Sequence, residues 1–177
     1  MADAKACAGR VERLRALMAE RGYDAVILRN NPDLRWLTGA ERTFDDEVAH
    51  TAFVTADGQW LHTDSRYANT FRERLGADTP WVIDEEIVSA AAWAAERARA
   101  TRSRVVAVED TCDLAFFDAF NQAMSELSIA CLTPRMHGDI CDLRMVKDAE
   151  EVELMRHAQS ITDAAFTHIC GFIKPGM

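Results

Sequence analysis

Short apolar runs alternate with stripes of helical period along most of this chain, and that alternation restricts the fold more than any single residue does. Asp24–Leu28, Trp81–Ile83, Val105–Glu109 and Ile129–Leu132 read as strands. Between them, Val11, Leu14, Leu17 and Met18 form one helical stripe, closed by Gly22 where a C′ glycine belongs. Tyr67, Phe71 and Leu75 form a second, behind a cap at Asp64 or Ser65. An Ala-rich helix carries Ile87, Ala91 or Ala92, and Ala94 or Ala95, and a fourth carries Leu114, Phe117, Phe120, Met124 and Leu127 behind Asp110 or Thr111. Thr51–Thr55 and Gln59–Thr63 depart from the alternation, because Asp57-Gly58 between them is hairpin chemistry. Strands joined through helices pair in parallel and a hairpin pairs antiparallel, so the pattern predicts an α/β three-layer sandwich with a mixed, mostly parallel sheet. Met1–Ala8 reads as a frayed lead-in, and Asn30–Asp33 as a turn.

A long helix ends the chain. Asp148 is a good N-cap, Glu150 and Glu151 suit the positive end of the helix dipole, and Pro175-Gly176 stops the helix. Its apolar positions include Val152, Met155, Ile161, Phe166, Ile169 and Phe172, with nothing after them to cover the stripe. Burying one large apolar side chain is worth roughly 1.5–3 kcal/mol, so these six residues are candidates for contact with a second copy of the chain.

Several phrases resemble the creatinase/prolidase/aminopeptidase P family. They are Arg13–Met18, Gly22–Ala25, Asn31 to Trp36-Leu37-Thr38-Gly39, Asp64-Ser65-Arg66-Tyr67, and Leu143–Ala158 followed by Ile173–Met177. An inserted-looking Pro32-Asp33, and Trp36 where tyrosine is common, depart from the pattern. The resemblance implies a ribonuclease-H-like strand order for an N-terminal domain over residues 1–141. Residues 142–177 then form the incomplete start of a "pita-bread" metallohydrolase domain. In the family's peptidases two Asp, one His and two Glu hold two divalent metals (manganese, cobalt or zinc), all beyond the equivalent of Lys174–Met177. The implied parent is therefore a hydrolase of Xaa-Pro bonds, and this chain alone is inactive and without a cofactor. Its partners are the missing catalytic domain and a second subunit. The family also contains creatinase, which cleaves a carbon–nitrogen bond without metals. Its first domains hold subunits together and narrow the approach to a neighbouring catalytic pocket.

The net charge of −9 argues against a nucleic-acid surface. No run is apolar enough to span a membrane, and no signal-peptide core is visible at the N-terminus. Five scattered cysteines without a Cys-x-x-Cys read as reduced thiols in a cytoplasmic protein. The five histidines form no His-Glu-x-x-His, and His157 and His168 stand about 16 Å apart along one helix, too far to share an ion.

The most polar stretch runs from Glu41 to His50. Consecutive carboxylates on an extended chain point to opposite sides, so Asp45 and Asp46 do not converge on one cation. The stretch reads as a solvated loop, in which Arg42, Phe44, Asp45, Asp46 and His50 are the candidates to face a substrate entrance or a partner. Two other readings stay open. One is a stand-alone binding or regulatory module with this fold and no enzymatic parent. The other is a small Cys or Ser hydrolase, although a strand position and a helix cap explain His62 and Ser65 without one.

Overall fold

The computed structural model describes residues 4–40, 43–44 and 47–177. The chain divides into two compact units, residues 1–144 and 145–177.

The first unit is built on a five-stranded sheet of β1 (Ala25–Leu28), β2 (Thr51–Thr55), β3 (Gln59–His62), β4 (Val82–Asp84) and β5 (Val106–Val108), in the order β4-β3-β2-β1-β5. β1 pairs with β5, and β3 with β4, in parallel; β2 pairs antiparallel with both β1 and β3. The sheet is mixed, as predicted, and the second antiparallel pair arises because the chain between β1 and β2 returns to the same end of the sheet.

Side chains alternate across these strands and divide the core in two. Val26, Leu28, Ala52, Val54 and Ala107 face one layer, with α1 (Ala4–Arg21), α2 (Asn31–Thr38), α3 (Ser65–Leu75) and α6 (Asp139–Met145). Ala25, Ile27, Phe53, Val106 and Val108 face the other, with α4 (Ala90–Thr101) and α5 (Leu114–Glu126). This is the three-layer α/β sandwich.

Local chemistry explains where several elements depart from the sequence reading. The lead-in is helical from Ala4, and Cys7 is buried. Asn31–Asp33 open α2 instead of forming a turn, because proline is tolerated in the first helical turn, where no N–H partner is required; Gly39, at φ 69°, ends the helix. Ser89 caps α4, which leaves Ile87 outside the helix and fully exposed. Asp113, not Asp110 or Thr111, caps α5, and the register turns Phe116 inward and Leu114 outward. Ile129–Leu132 make no regular strand; only single bridges, Val105 to Leu132 and Val108 to Arg135, extend the sheet beyond β5. Pro134 lies between them and has no N–H to continue a ladder. The first unit runs on past residue 141 because Ile140 is buried in its core and Arg144 Nη1 meets buried Asp33 at 2.6 Å.

The second unit is α7 (Ala149–Phe172), a helix of 24 residues. Asp148 accepts from the Glu151 N–H while the Glu151 side chain accepts from the Asp148 N–H, a complete capping box.

Candidate functional site

Of the residues predicted to face a substrate or partner, Arg42, Asp45 and Asp46 lie outside the described residues. Phe44 and His50 are described, and both are buried, at 6% and 0% exposure. Phe44 packs edge-on against His50 and Phe71 at ring-centre distances of 5.3 and 5.2 Å. His50 in turn meets Tyr67 and Phe71 at 4.9 and 5.1 Å, and its Nδ1 lies 2.9 Å from the Thr63 hydroxyl. The reading of these two as loop-surface residues is therefore corrected. α3 presents Tyr67 and Phe71 to the sheet, and the polar stretch fills the space above them with its two rings. Two carbonyls within the stretch are bonded from α2: Arg35 donates to the Phe44 carbonyl at 3.3 Å, and Asn31 donates to the Glu47 carbonyl at 2.9 Å.

Most of the predicted contact residues on α7 are exposed. Met155, Ile161, Phe166, Ile169 and Phe172 are 47–69% exposed, and Val152 is half-buried. Leu154, which the sequence reading left out of the stripe, is exposed beside them.

A polar crevice at the carboxyl ends of β1 and β5 was not anticipated. Arg29 and Asn30 follow β1 directly, Glu109 follows β5, and with Arg35, Thr111 and Asp113 they line a cavity of about 500 Å³. Glu109 is 3% exposed. Burial pushes its carboxyl up to about 7, against the backbone N–H groups of Asn30 and Arg29 that donate to it. Its Oε2 is buried without a hydrogen-bond partner among the described residues, and so is Arg29 Nε. Arg29 pairs with Asp113 at 2.9 Å and lies 4.1 Å over the Phe116 ring. Helix capping and the Arg29 contact together hold the Asp113 carboxyl below its usual range. The one legible signal was a carboxylate directly after an apolar strand, a position that also fits a solvated strand end.

Elsewhere, titratable groups serve structure. The His62 ring stacks on Trp93 at 5.0 Å and its Nε2 meets the Glu86 carbonyl at 3.0 Å, while Ser65 is the exposed first residue of α3. Burial pushes the Cys112 thiol up to about 11 and raises that of Cys131, the reverse of what a thiolate nucleophile requires. Among the described residues no group of three or more His, Cys, Asp and Glu side chains is placed to hold a metal ion, so they do not fit a dinuclear centre. No helix among them is long and apolar enough to cross a membrane.

The sequence pattern of the Creatinase/Prolidase N-terminal domain matches residues 10–146. YqhT of Bacillus subtilis (strain 168), an uncharacterized peptidase, is 23% identical over 169 residues, which are 95% of this chain and 44% of that protein. An Xaa-Pro dipeptidase from Bacillus anthracis superposes with a TM-score of 0.80 at 24% identity, over 97% of this chain and 45% of its own. The N-terminal domain of the cytoplasmic peptidase PepQ from Mycobacterium tuberculosis H37Rv superposes at 0.64 and 22% identity, over 76% of this chain and 98% of its own. At these identities the superpositions establish the fold. This chain spans less than half the length of YqhT and of the Bacillus anthracis enzyme.

Proposed function

The chain belongs to the creatinase/prolidase N-terminal domain family, and from that premise we propose that it is the non-catalytic N-terminal domain of an Xaa-Pro dipeptidase or aminopeptidase. The observation that carries this reading is the match over residues 10–146 together with relatives more than twice as long. The hydrolytic centre, with its two divalent ions, then belongs to a catalytic domain that follows Lys174-Pro175-Gly176-Met177 in the whole protein. Manganese, cobalt and zinc are the metals the resemblance implies. The proposed setting is the cytoplasm.

Two roles fall to this domain. The α7 stripe of Val152, Met155, Ile161, Phe166, Ile169 and Phe172 is proposed as a contact between chains, because a symmetric helix pair buries both stripes at once. The stretch from Glu41 to His50 is proposed to shape the substrate approach through Arg42, Asp45 and Asp46, with Phe44 and His50 as its anchors in the core. A stand-alone binding module is the second reading, favoured by one observation: residues 1–144 have a complete two-layer core of their own.

Hydrolysis of an Xaa-Pro dipeptide with added manganese separates these readings. The whole protein is expected to cleave it and the 177-residue chain to leave it intact. Cleavage by this chain alone, or none by the whole protein with any of the three metals, would overturn the peptidase reading. Light scattering tests the assembly role: the chain should be dimeric at high micromolar concentration and a version ending at Arg144 monomeric. An unchanged state after shortening removes α7 from the contact.

A further inference from the structure

We propose that the crevice at the carboxyl ends of β1 and β5 binds a small zwitterion of the amino-acid type, its ammonium on Glu109 and its carboxylate on Arg29. The inference does not depend on the peptidase reading.

The topology supplies the first reason. β1 and β5 are adjacent and parallel, yet the chain leaves β1 for α2 on one face of the sheet and leaves β5 for α5 on the other. Where neighbouring parallel strands send their chains to opposite faces, a crevice opens outside their carboxyl ends, and open α/β sheets take ligands there. In this protein the crevice is a cavity of about 500 Å³, within the range of small-molecule sites.

Its lining supplies the second. Two of the residues that line it carry a buried polar atom without a partner among the described residues, the acceptor Glu109 Oε2 and the donor Arg29 Nε, which a ligand meets once these side chains turn toward the cavity. A buried polar atom left unbonded is costly, so a ligand that offers a donor to one and an acceptor to the other recovers both. An ammonium and a carboxylate on one small molecule do so with charge as well. Arg35 also lines the cavity, and its one bond among the described residues is to the Phe44 carbonyl, so it can turn to the same carboxylate.

The alternatives fit less well. A divalent cation of the calcium type takes six to eight oxygen ligands, and Glu109 has one free oxygen beside a guanidinium. A simple anion would satisfy Arg29 and leave Glu109 as it is.

Binding should depend on pH. The groups that act on Glu109 are Arg29, which favours its ionised form, and Asp33, which opposes it and is itself engaged by Arg144. Asp113 is occupied by Arg29, and the Cys112 thiol stays protonated. Glycine keeps both its charges between pH 6 and 8, so of the charges that would meet in the crevice it is Glu109 that changes state over that range, toward the carboxylate an ammonium prefers.

Glycine, methylamine and acetate titrated separately into the ¹⁵N-labelled chain test the proposal. Glycine is expected to shift the amides of Arg29, Asn30 and Thr111 saturably, with a Kd on the order of 1 mM or below. Methylamine and acetate should each bind at least about tenfold more weakly, Glu109→Gln should weaken glycine about tenfold, and glycine affinity should rise several-fold from pH 6 to 8. Acetate binding as well as glycine, or glycine weakening with pH, would make this an anion site and overturn the proposal. So would glycine affinity unchanged in Glu109→Gln, or no shift at about 50 mM, which would leave the crevice to water.

Discussion

The polar stretch that ends at His50 and the apolar stripe of α7 exchange the places their compositions suggest. Phe44 and His50 come from the most polar part of the sequence and are sealed in the core of the first unit. Phe166 and Phe172 come from an amphipathic helix and are 69% and 57% exposed. The first unit is held by tertiary burial, in which even a polar segment contributes the rings that fill a gap beside α3. The second shows terms local to one helix, its hydrogen-bond ladder and the Asp148–Glu151 capping box. Composition alone does not decide burial; the presence of a facing surface does.

The sharpest way to break this comparison is Phe44→Ala. Removing a buried ring packed on His50 and Phe71 should cost the first unit about 3–5 kcal/mol in urea denaturation. A loss below about 1 kcal/mol would show that the stretch is a surface loop after all.

A smaller effect comes from Glu109. Its carboxyl titrates at about 7 in the folded protein, against 4.5 as the ordinary value. Between those values the folded state holds a proton that the unfolded chain has released, so stability falls as pH rises through the window and levels off above it. A shift of that size corresponds to roughly 3 kcal/mol. Glu109→Gln removes the titration, so the variant should gain on the parent as pH rises from 5 to 8. Parallel pH profiles for the two proteins would place Glu109 in contact with solvent.

The smallest effect sharpens the local half of the contrast. Asp148→Ala removes the cap and should cost α7 about 1 kcal/mol, read as faster amide exchange over its first turn, with the urea midpoint of the first unit unchanged. A fall in that midpoint would show that the two units unfold together.

Much of the fold was legible because its signals are local. The Asp57-Gly58 hairpin, the Asp148 cap and Gly22 each act within a few residues and stand where the sequence puts them, and of the two candidate caps of α3 the structure uses Asp64. The register of α5 was misjudged because Asp110, Thr111 and Asp113 are all competent caps, and only packing against α4 selects Asp113 and turns Phe116 inward. Asn30–Asp33 misled because the residues that favour turns also begin helices.

The candidate sites were legible to different degrees for the same reason. The α7 stripe is a periodicity visible in the sequence, and Leu154 is exposed beside it. The sequence by itself determined the α/β alternation, the hairpin, the capped terminal helix and the family. The tertiary structure alone decided that Phe44 and His50 are core and that β1 runs between an antiparallel and a parallel neighbour. It alone brought Arg29 and Glu109, 80 positions apart in sequence, to one crevice. Those outcomes depend on which strands become neighbours, and no short window of sequence carries the energy of a contact between distant parts of the chain.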